Sequence, residues 1–162
     1  MGSMSTESQP LTAALRDAAL DALVGALREA LDVGRCTLRL DRPGETFPVV
    51  HESRAPGVGT LIGETTVVLT GQPVVEAMLA GVPQVVQDDC ATASDDPAFQ
   101  RMLGVYGGMA SQIVTAVRVD GELRGIVSLH QLGTARRWTA AETEAAARGA
   151  GLIGAVLAEA AR

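Results

Sequence analysis

Two long apolar segments around Asp120-Gly121 restrict the fold of this chain more than any other feature. SQIVTAVRV (111–119) and ELRGIVSLH (122–130) are both rich in branched residues, and only two residues separate them. Asp-Gly between two such segments is a strong signal for a two-residue β-hairpin turn. An isolated hairpin is only marginally stable in water, so the rest of the chain has to supply more strands and a covering layer.

The hairpin register predicts which side chains share a face of the sheet. A two-residue turn pairs Val119 with Glu122, and period-2 alternation then fixes both faces. The residues predicted for one face are Ser111, Ile113, Thr115, Ile126, Ser128 and His130. Those predicted for the other face, packed against helices, are Val114, Ala116, Leu123, Val127 and Leu129. A one-residue bulge would change this register.

The remaining segments predict an α+β domain with an antiparallel sheet. Apolar residues recur at helical spacing from Leu11 to about Asp32, and Gly34 is the expected helix end. Thr139 and Glu142 have the spacing of a capping box, which predicts a final helix to about Ala161. Between these helices the patterns predict strands at 36–40, 47–51 and 84–88, a glycine-rich loop at 54–63, and helices at 72–79 and from Pro97. The segment 65–71 is compatible with either a short strand or the approach to the next helix. Long helices at both ends and strands joined by hairpins are typical of the α+β class.

Composition and charge narrow the functional classes. The net charge is −6, and the 13 basic residues, all arginine, form no basic stripe along the sequence. An acidic chain of this kind is a poor candidate for binding a nucleic acid or an anionic membrane surface. Two cysteines cannot form a disulfide framework of the secreted kind, which favours a cytoplasmic location. We expect residues 1–10 to be an expression-vector remnant and a flexible tail, and residues 11–162 to form one domain.

The segment GMASQIVTAVRVDGELRGIVSLHQLGTARRWTAAE, together with QVVQDD further upstream, resembles the GAF domain family. The resemblance covers the chain from the first helix to the last. It implies a ligand pocket between one face of the sheet and its covering loops, with the terminal helices on the other face. It also implies a small-molecule sensor that often dimerises through those helices. The residues predicted to contact a ligand are Ser111, Ile113, Ser128, His130, Met109, Met102 and Phe99.

The motif SLHQ is most similar to the phytochrome-like GAF domains, in which a histidine at the position of His130 faces a bilin. The cysteine that attaches the bilin in those relatives corresponds to a position near Ala98, which carries no thiol. DDCA (88–91) has the aspartate and cysteine of a second attachment motif but lacks its phenylalanine. We therefore expect no covalent bilin, and the sequence leaves the cofactor unassigned. The alternative role for His130 is that of a strand-end residue anchoring the loop that follows.

Three functions remain open at this point. The favoured one is a non-catalytic small-molecule sensor that acts as a homodimer. The second is a small enzyme of reductase type using Cys90 or His130, and the third is a structural dimerisation module without a ligand. Cys90 and His51 are expected to be exposed and Cys36 to be buried, and their spacing matches no metal site. The dimer contact is expected through both terminal helices. The last helix has Leu152, Ile153, Val156 and Leu157 along one side and small residues within 145–151 that would allow close helix approach, and the first helix offers a second apolar stripe.

Overall fold

The computed structural model describes residues 12–160 and contains five strands and five helices within them. Their order is α1 (Ala13–Leu31), β1 (Arg35–Leu40), β2 (Val49–Arg54), α2 (Pro73–Leu79), β3 (Gln84–Gln87), α3 (Cys90–Ala93), α4 (Pro97–Val105), β4 (Met109–Val119), β5 (Glu122–Leu132) and α5 (Ala140–Ala160). The predicted vector remnant and flexible tail lie outside the described residues. No helix in this part of the chain has the length and apolar character needed to cross a membrane.

The five strands form one antiparallel sheet in the order β2-β1-β5-β4-β3. This arrangement confirms the predicted α+β class. The two terminal helices pack together on one face, where they enclose the largest apolar cluster. The opposite face is covered by the segment 55–72 and by α2, α3 and α4, which enclose two smaller apolar clusters. The sheet therefore separates a face packed by the two terminal helices from a face covered by an irregular segment and three short helices.

The Asp120-Gly121 turn confirms the predicted hairpin. Both residues have positive φ, 51° and 81°, as a tight turn between twisted strands requires. The register beyond the turn is shifted, however, because a bulge lies between Val117 and Arg118 and a second one lies between Met109 and Ser111. As a result Val114, not Ile113, pairs with Ser128, and Gln112 pairs with His130.

A bulge on β5, where Arg124 has no partner opposite Val117 and Arg118, corrects the predicted faces of β4. An extra residue on one strand moves every side chain beyond it to the opposite face. Ile113 therefore packs in the cluster under the terminal helices, and the Thr115 hydroxyl accepts a hydrogen bond from Gln84 on that side. Val114, Ala116 and Leu123 pack instead in a cluster on the other face. The faces predicted for Val127 and Leu129 are confirmed.

The terminal helices approach closely because one position at their contact has no side chain. A Cβ on Gly149 would lie 2.7 Å from both methyl groups of Leu27, so only glycine fits there without a shift. The small residues of α5 thus serve packing within one chain, with Ala146 and Ala150 buried beside them. The predicted apolar side of α5 is also corrected, because Ile153 is fully buried whereas Leu152 points outward with 56% of its surface exposed.

Capping interactions define the start of α5 and the end of α1. The predicted capping box is confirmed, because the Thr139 amide donates to Glu142 and the Glu142 amide donates to the Thr139 hydroxyl. At the end of α1 the left-handed cap residue is Asp32 and not Gly34. The segment 90–93, which the sequence indicates as loop, is one helical turn capped by the Asp89 carboxylate.

Candidate functional site

A narrow cavity lies between the sheet and its irregular cover, on the face opposite the terminal helices. Its volume is about 50 Å³. The sheet contributes polar and apolar side chains from three strands, and the cover contributes mainly apolar ones. The lining residues are Arg39, Phe47, Leu69, Gln72, Val74, Val75, Met102, Tyr106, Gln112, Val114, Ile126, Ser128 and His130. Pockets for drug-sized ligands usually measure about 300–1,000 Å³, so a ligand of that size requires the cover to move.

His130 forms part of the cavity wall and is held by a buried arginine. Arg35 lies directly opposite it on β1, and its guanidinium Nη1 is 3.2 Å from His130 Nδ1. A guanidinium only donates hydrogen bonds, so Nδ1 is the acceptor and the neutral imidazole carries its proton on Nε2. Burial, with Arg35 and Arg39 nearby, holds the pKa of His130 well below its usual value. The ring therefore offers a neutral Nε2–H donor.

Arg39 and Tyr106 form the second polar group of the cavity. One guanidinium nitrogen of Arg39 donates to the Tyr106 hydroxyl at 2.6 Å, and another donates to the carbonyl of Phe47 at 2.9 Å. The Tyr106 ring stacks on His130 with 5.8 Å between ring centroids. Burial raises the pKa of the Tyr106 phenol, which therefore stays neutral at physiological pH. Arg39 is the one charged residue lining the cavity within the described part of the chain.

The cavity combines hydrogen-bond donors with a mostly apolar wall. Gln112, Ser128 and Gln72 add neutral polar groups, and no carboxylate is among the described lining residues. A cation and a neutral N–H donor favour a ligand that presents an anionic or carbonyl oxygen. The apolar side chains around them favour a ligand with an apolar body.

Three of the residues predicted to contact a ligand line the cavity, namely Met102, Ser128 and His130. Phe99 and Met109 lie on the same side of the sheet but are buried in the apolar cluster beneath α4. Their predicted ligand contact has no counterpart in the cavity wall. Residues two apart in a strand normally share a face. The bulge between Met109 and Ser111 explains why Met109 lies on this side whereas Ser111 does not.

Ser111 and Ile113 lie away from the cavity, because the β4 register differs from the predicted one. Ser111 Oγ donates to the carbonyl of Asp88 at 2.7 Å and accepts from the amide of Arg136 at 2.8 Å. It therefore anchors the loop before α5, which is the anchoring role considered as an alternative for His130. Ile113 is fully buried under the terminal helices.

Sequence reasoning missed the contribution of β1 to the cavity. Arg35, Thr37 and Arg39 alternate with Cys36, Leu38 and Leu40, which pack on the helix side. This alternation is visible in RCTLRL (35–40), but only the pairing of β1 with β5 shows that its polar face lies beside His130. Tyr106 was missed because it lies at the end of α4, outside the strands from which the site was predicted. Gln112 was missed because the bulge shifts the register and pairs it with His130.

The two cysteines and His51 are buried away from the cavity. Cys36 and Cys90 are both unpaired thiols with no exposed surface, so the expectation of an exposed Cys90 is wrong, whereas buried Cys36 is confirmed. His51 is only 5% exposed, and its Nδ1 lies 2.7 Å from the Asp21 carboxylate, which corrects its expected exposure. Within residues 12–160, no group of three or more potential ligands has metal-site geometry.

Comparison with solved structures identifies many chains of the same fold. The photoproduct state of GAF3 from Slr1393 of Synechocystis sp. PCC6803 superposes with a TM-score of 0.77 at 19% identity, covering 90% of this chain and 95% of that one. The GAF domain of the cyanobacteriochrome TePixJ gives a TM-score of 0.76 at 23% identity, covering 88% of each chain. The phycoerythrobilin-bound GAF domain of a cyanobacterial phytochrome gives 0.77 at 18% identity, covering 90% of this chain and 87% of that one.

These similarities establish the fold. The family follows from a separate comparison of the sequence with family profiles. No curated protein sequence matches the chain. The GAF domain profile matches residues 16–157, a range that begins in α1 and ends in α5. The chain therefore belongs to the GAF domain family.

Proposed function

We propose that this protein is a non-catalytic sensor that binds a small molecule on the face of the sheet opposite the terminal helices. The observation that carries the proposal is the arrangement of His130, whose Nδ1 is taken by Arg35 while the ring lines the cavity. Nε2 is then the ring nitrogen left for a ligand. Solved structures of the same fold include GAF domains bound to phycoerythrobilin and phycocyanobilin, which supports ligand binding as the role of this chain.

The proposed ligand has an apolar body and a carboxylate or carbonyl oxygen. Arg39 and the Nε2–H of His130 supply the donors for that oxygen, and Val114, Ile126 and Met102 supply apolar contact. The ligand is held without a covalent bond, because neither cysteine lines the cavity and Ala98 stands near the position of the attaching cysteine in bilin-binding relatives.

Native mass spectrometry of freshly purified protein tests this function directly. A retained ligand would add a defined mass that is lost on denaturation, and that mass would identify it. Screening apolar carboxylates by thermal shift covers a ligand that is lost in purification, because a ligand at 100 times its Kd stabilises the native state by about 2.7 kcal/mol. If neither a retained mass nor a stabilising compound is found, the result favours the structural module with a closed cavity.

Replacing His130 tests the site itself. We expect His130→Ala to weaken binding of the ligand so identified by about 5- to 150-fold, because removing a buried donor costs roughly 1–3 kcal/mol. Stability should fall as well, because Arg35 loses an acceptor. Ser111→Ala is the matched control: it removes a buried polar group of the same sheet that anchors a loop. Titration calorimetry should show unchanged affinity for Ser111→Ala, and unchanged affinity for His130→Ala would contradict the proposed site.

Homodimerisation through the terminal helices is a further part of the proposal. It is supported by one large apolar side chain exposed on each helix, Leu15 at 58% and Leu152 at 56%. We expect light scattering at tens of micromolar protein to give the dimer mass. Leu152→Arg should lower that mass toward the monomer, because a charge on the contact is desolvated without a partner. Val105→Arg, an exposed position on α4, serves as the control. A monomer mass for the unmodified protein would rule out this assembly.

A cytoplasmic location also remains part of the proposal. Both cysteines are unpaired thiols, which fits a reducing compartment.

A further inference from the structure

Arg35 is a buried cation whose hydrogen-bond partners are all neutral. Only 1% of its surface is exposed. Its guanidinium donates to the carbonyl of Gly59 through two nitrogens at 3.0 and 3.3 Å, to the carbonyl of Tyr106 at 3.0 Å, and to His130 Nδ1 at 3.2 Å. Burial lowers the pKa of Arg35, and the charge of the Glu52 carboxylate offsets part of this effect without a direct ion pair. A charge buried in this way is costly, and it persists only where several good acceptors surround it. The three acceptors belong to three different parts of the cavity's surroundings.

One of these parts is the segment that covers the cavity. Gly59 lies within residues 55–72, and the same segment places Leu69 and Gln72 on the cavity wall. Its backbone near Gly59 is held by further hydrogen bonds, among them those from the Val58 amide to the carbonyl of Ala55 and from the Leu61 amide to the Glu52 carboxylate. Because the cavity holds only about 50 Å³, entry of a larger ligand requires the cover to move, and this segment is part of that cover.

The other two parts, Tyr106 and His130, line the cavity. Tyr106 and His130 stack on each other, and both receive a hydrogen bond from the same Arg35 nitrogen, the first at its carbonyl and the second at Nδ1. A guanidinium has a fixed planar geometry, so its bonds to separate groups are coupled through one rigid fork. A shift of any acceptor changes the position of the donors available to the others.

We propose that Arg35 is the positioning residue of this site, which holds His130 as a neutral Nε2–H donor and ties that state to the position of the covering segment through Gly59. The inference rests on the proposed function in so far as the covering segment moves with a ligand. Arg35 itself does not line the cavity and acts on the ligand through His130.

The two histidines of the chain provide an internal comparison for a nuclear magnetic resonance test. His51 has the Asp21 carboxylate 2.7 Å from Nδ1 and the Asp17 carboxylate 3.6 Å from Nε2. A carboxylate only accepts, so the shorter contact favours neutral His51 with its proton on Nδ1. His130 faces a donor at Nδ1 and carries its proton on Nε2. Nitrogen-15 imidazole spectra of the ligand-free protein should therefore show opposite tautomers. His130 should stay neutral well below pH 6.5, the usual midpoint of a histidine.

Variants of Arg35 separate this role from a purely structural one. Arg35→Met should let His130 populate the Nδ1–H form and titrate closer to its usual range, because a donor and a nearby positive charge are removed. Arg35→Lys should restore the Nε2–H form, because the ammonium keeps the charge and a donor. If Arg35→Met fails to fold, the unmodified protein and Arg35→Lys still decide the question.

Hydrogen exchange tests the connection to the covering segment. The Val58 and Leu61 amides should exchange about tenfold faster in both Arg35 variants, because the two-nitrogen contact with Gly59 is lost. Arg118→Gln is the matched control, since Arg118 also donates to a backbone carbonyl, that of Met78, outside the cavity. It should leave both amides unchanged.

Two results would overturn the proposal. One is an Nδ1–H tautomer or an ordinary titration of His130 in the unmodified protein. The other is unchanged exchange of both amides in the Arg35 variants. All these measurements use ligand-free protein, so their failure is distinct from failure of the proposed function, which would appear as the absence of any bound or stabilising ligand.

Discussion

Phe99→Ala should lower the free energy of unfolding by about 3–5 kcal/mol, the usual cost of truncating a buried phenylalanine to alanine. Phe99 is fully buried on α4, in the cluster that also contains Tyr106 and Met102. The change removes apolar contact and leaves a cavity that the sheet and α4 can only partly close. Domains of this size are usually stable by about 5–15 kcal/mol, so the variant loses a large part of its stability.

Equilibrium unfolding in urea measures this loss, and Val105→Ala on the same helix is its control. Val105 is 44% exposed, and its truncation should change stability by no more than about 0.5 kcal/mol. The experiment also decides between two roles for Phe99, because the sequence indicated a ligand contact and the structure shows a core position. A Phe99→Ala variant with nearly unchanged stability would mean that the packing beneath α4 is loose.

Both thiols should be almost unreactive in the folded protein. Burial raises the pKa of Cys36 to about 12, and burial with the Asp89 carboxylate nearby raises the pKa of Cys90 to about 12, from an ordinary value of 9.0. The thiolate is the reactive form, so its fraction at neutral pH falls about 1000-fold. Reaction with Ellman's reagent at about pH 8 should be at least that much slower in the native state than in guanidinium chloride, where both thiols should titrate.

The thiol experiment addresses the reductase alternative. Cys36→Ala and Cys90→Ala each leave one thiol, so the two sites are measured separately. Because the thiolate fraction rises tenfold per pH unit below the pKa, the native rate should keep increasing well above pH 9. Rapid modification of Cys90 in folded protein would contradict its burial and restore the enzyme as a candidate.

The sequence predicted the elements well because their signals are local. The Asp120-Gly121 turn, the Thr139–Glu142 capping box and the helical spacing of Leu20, Val24 and Leu27 depend on residues close in the chain, and the structure confirms each. The order of these elements with the terminal motifs was enough to indicate the GAF family, which the profile match shows.

Side-chain placement around the cavity was predicted less well, because a bulge is decided by packing of the whole sheet. Val114 and Ile113 exchange faces because β5 contains one extra residue, Arg124, and no pattern in either strand marks that residue. Burial of Cys90 was missed for a related reason. The polar segment around Cys90 forms one helical turn, and the Cys90 side chain packs in the apolar cluster beneath α4.

The sequence by itself determined the α+β class, the hairpin and the terminal helices, since each follows from spacing along the chain, and the resemblance of its motifs indicated the family. Only the tertiary structure decided that Arg35 and Arg39 stand beside His130, because β1 and β5 are far apart in sequence and meet only through sheet pairing. The same pairing places the buried guanidinium of Arg35 beside Nδ1 of His130, and this contact determines which ring nitrogen carries the proton. The chemistry of the cavity thus depends on a contact between residues 95 positions apart.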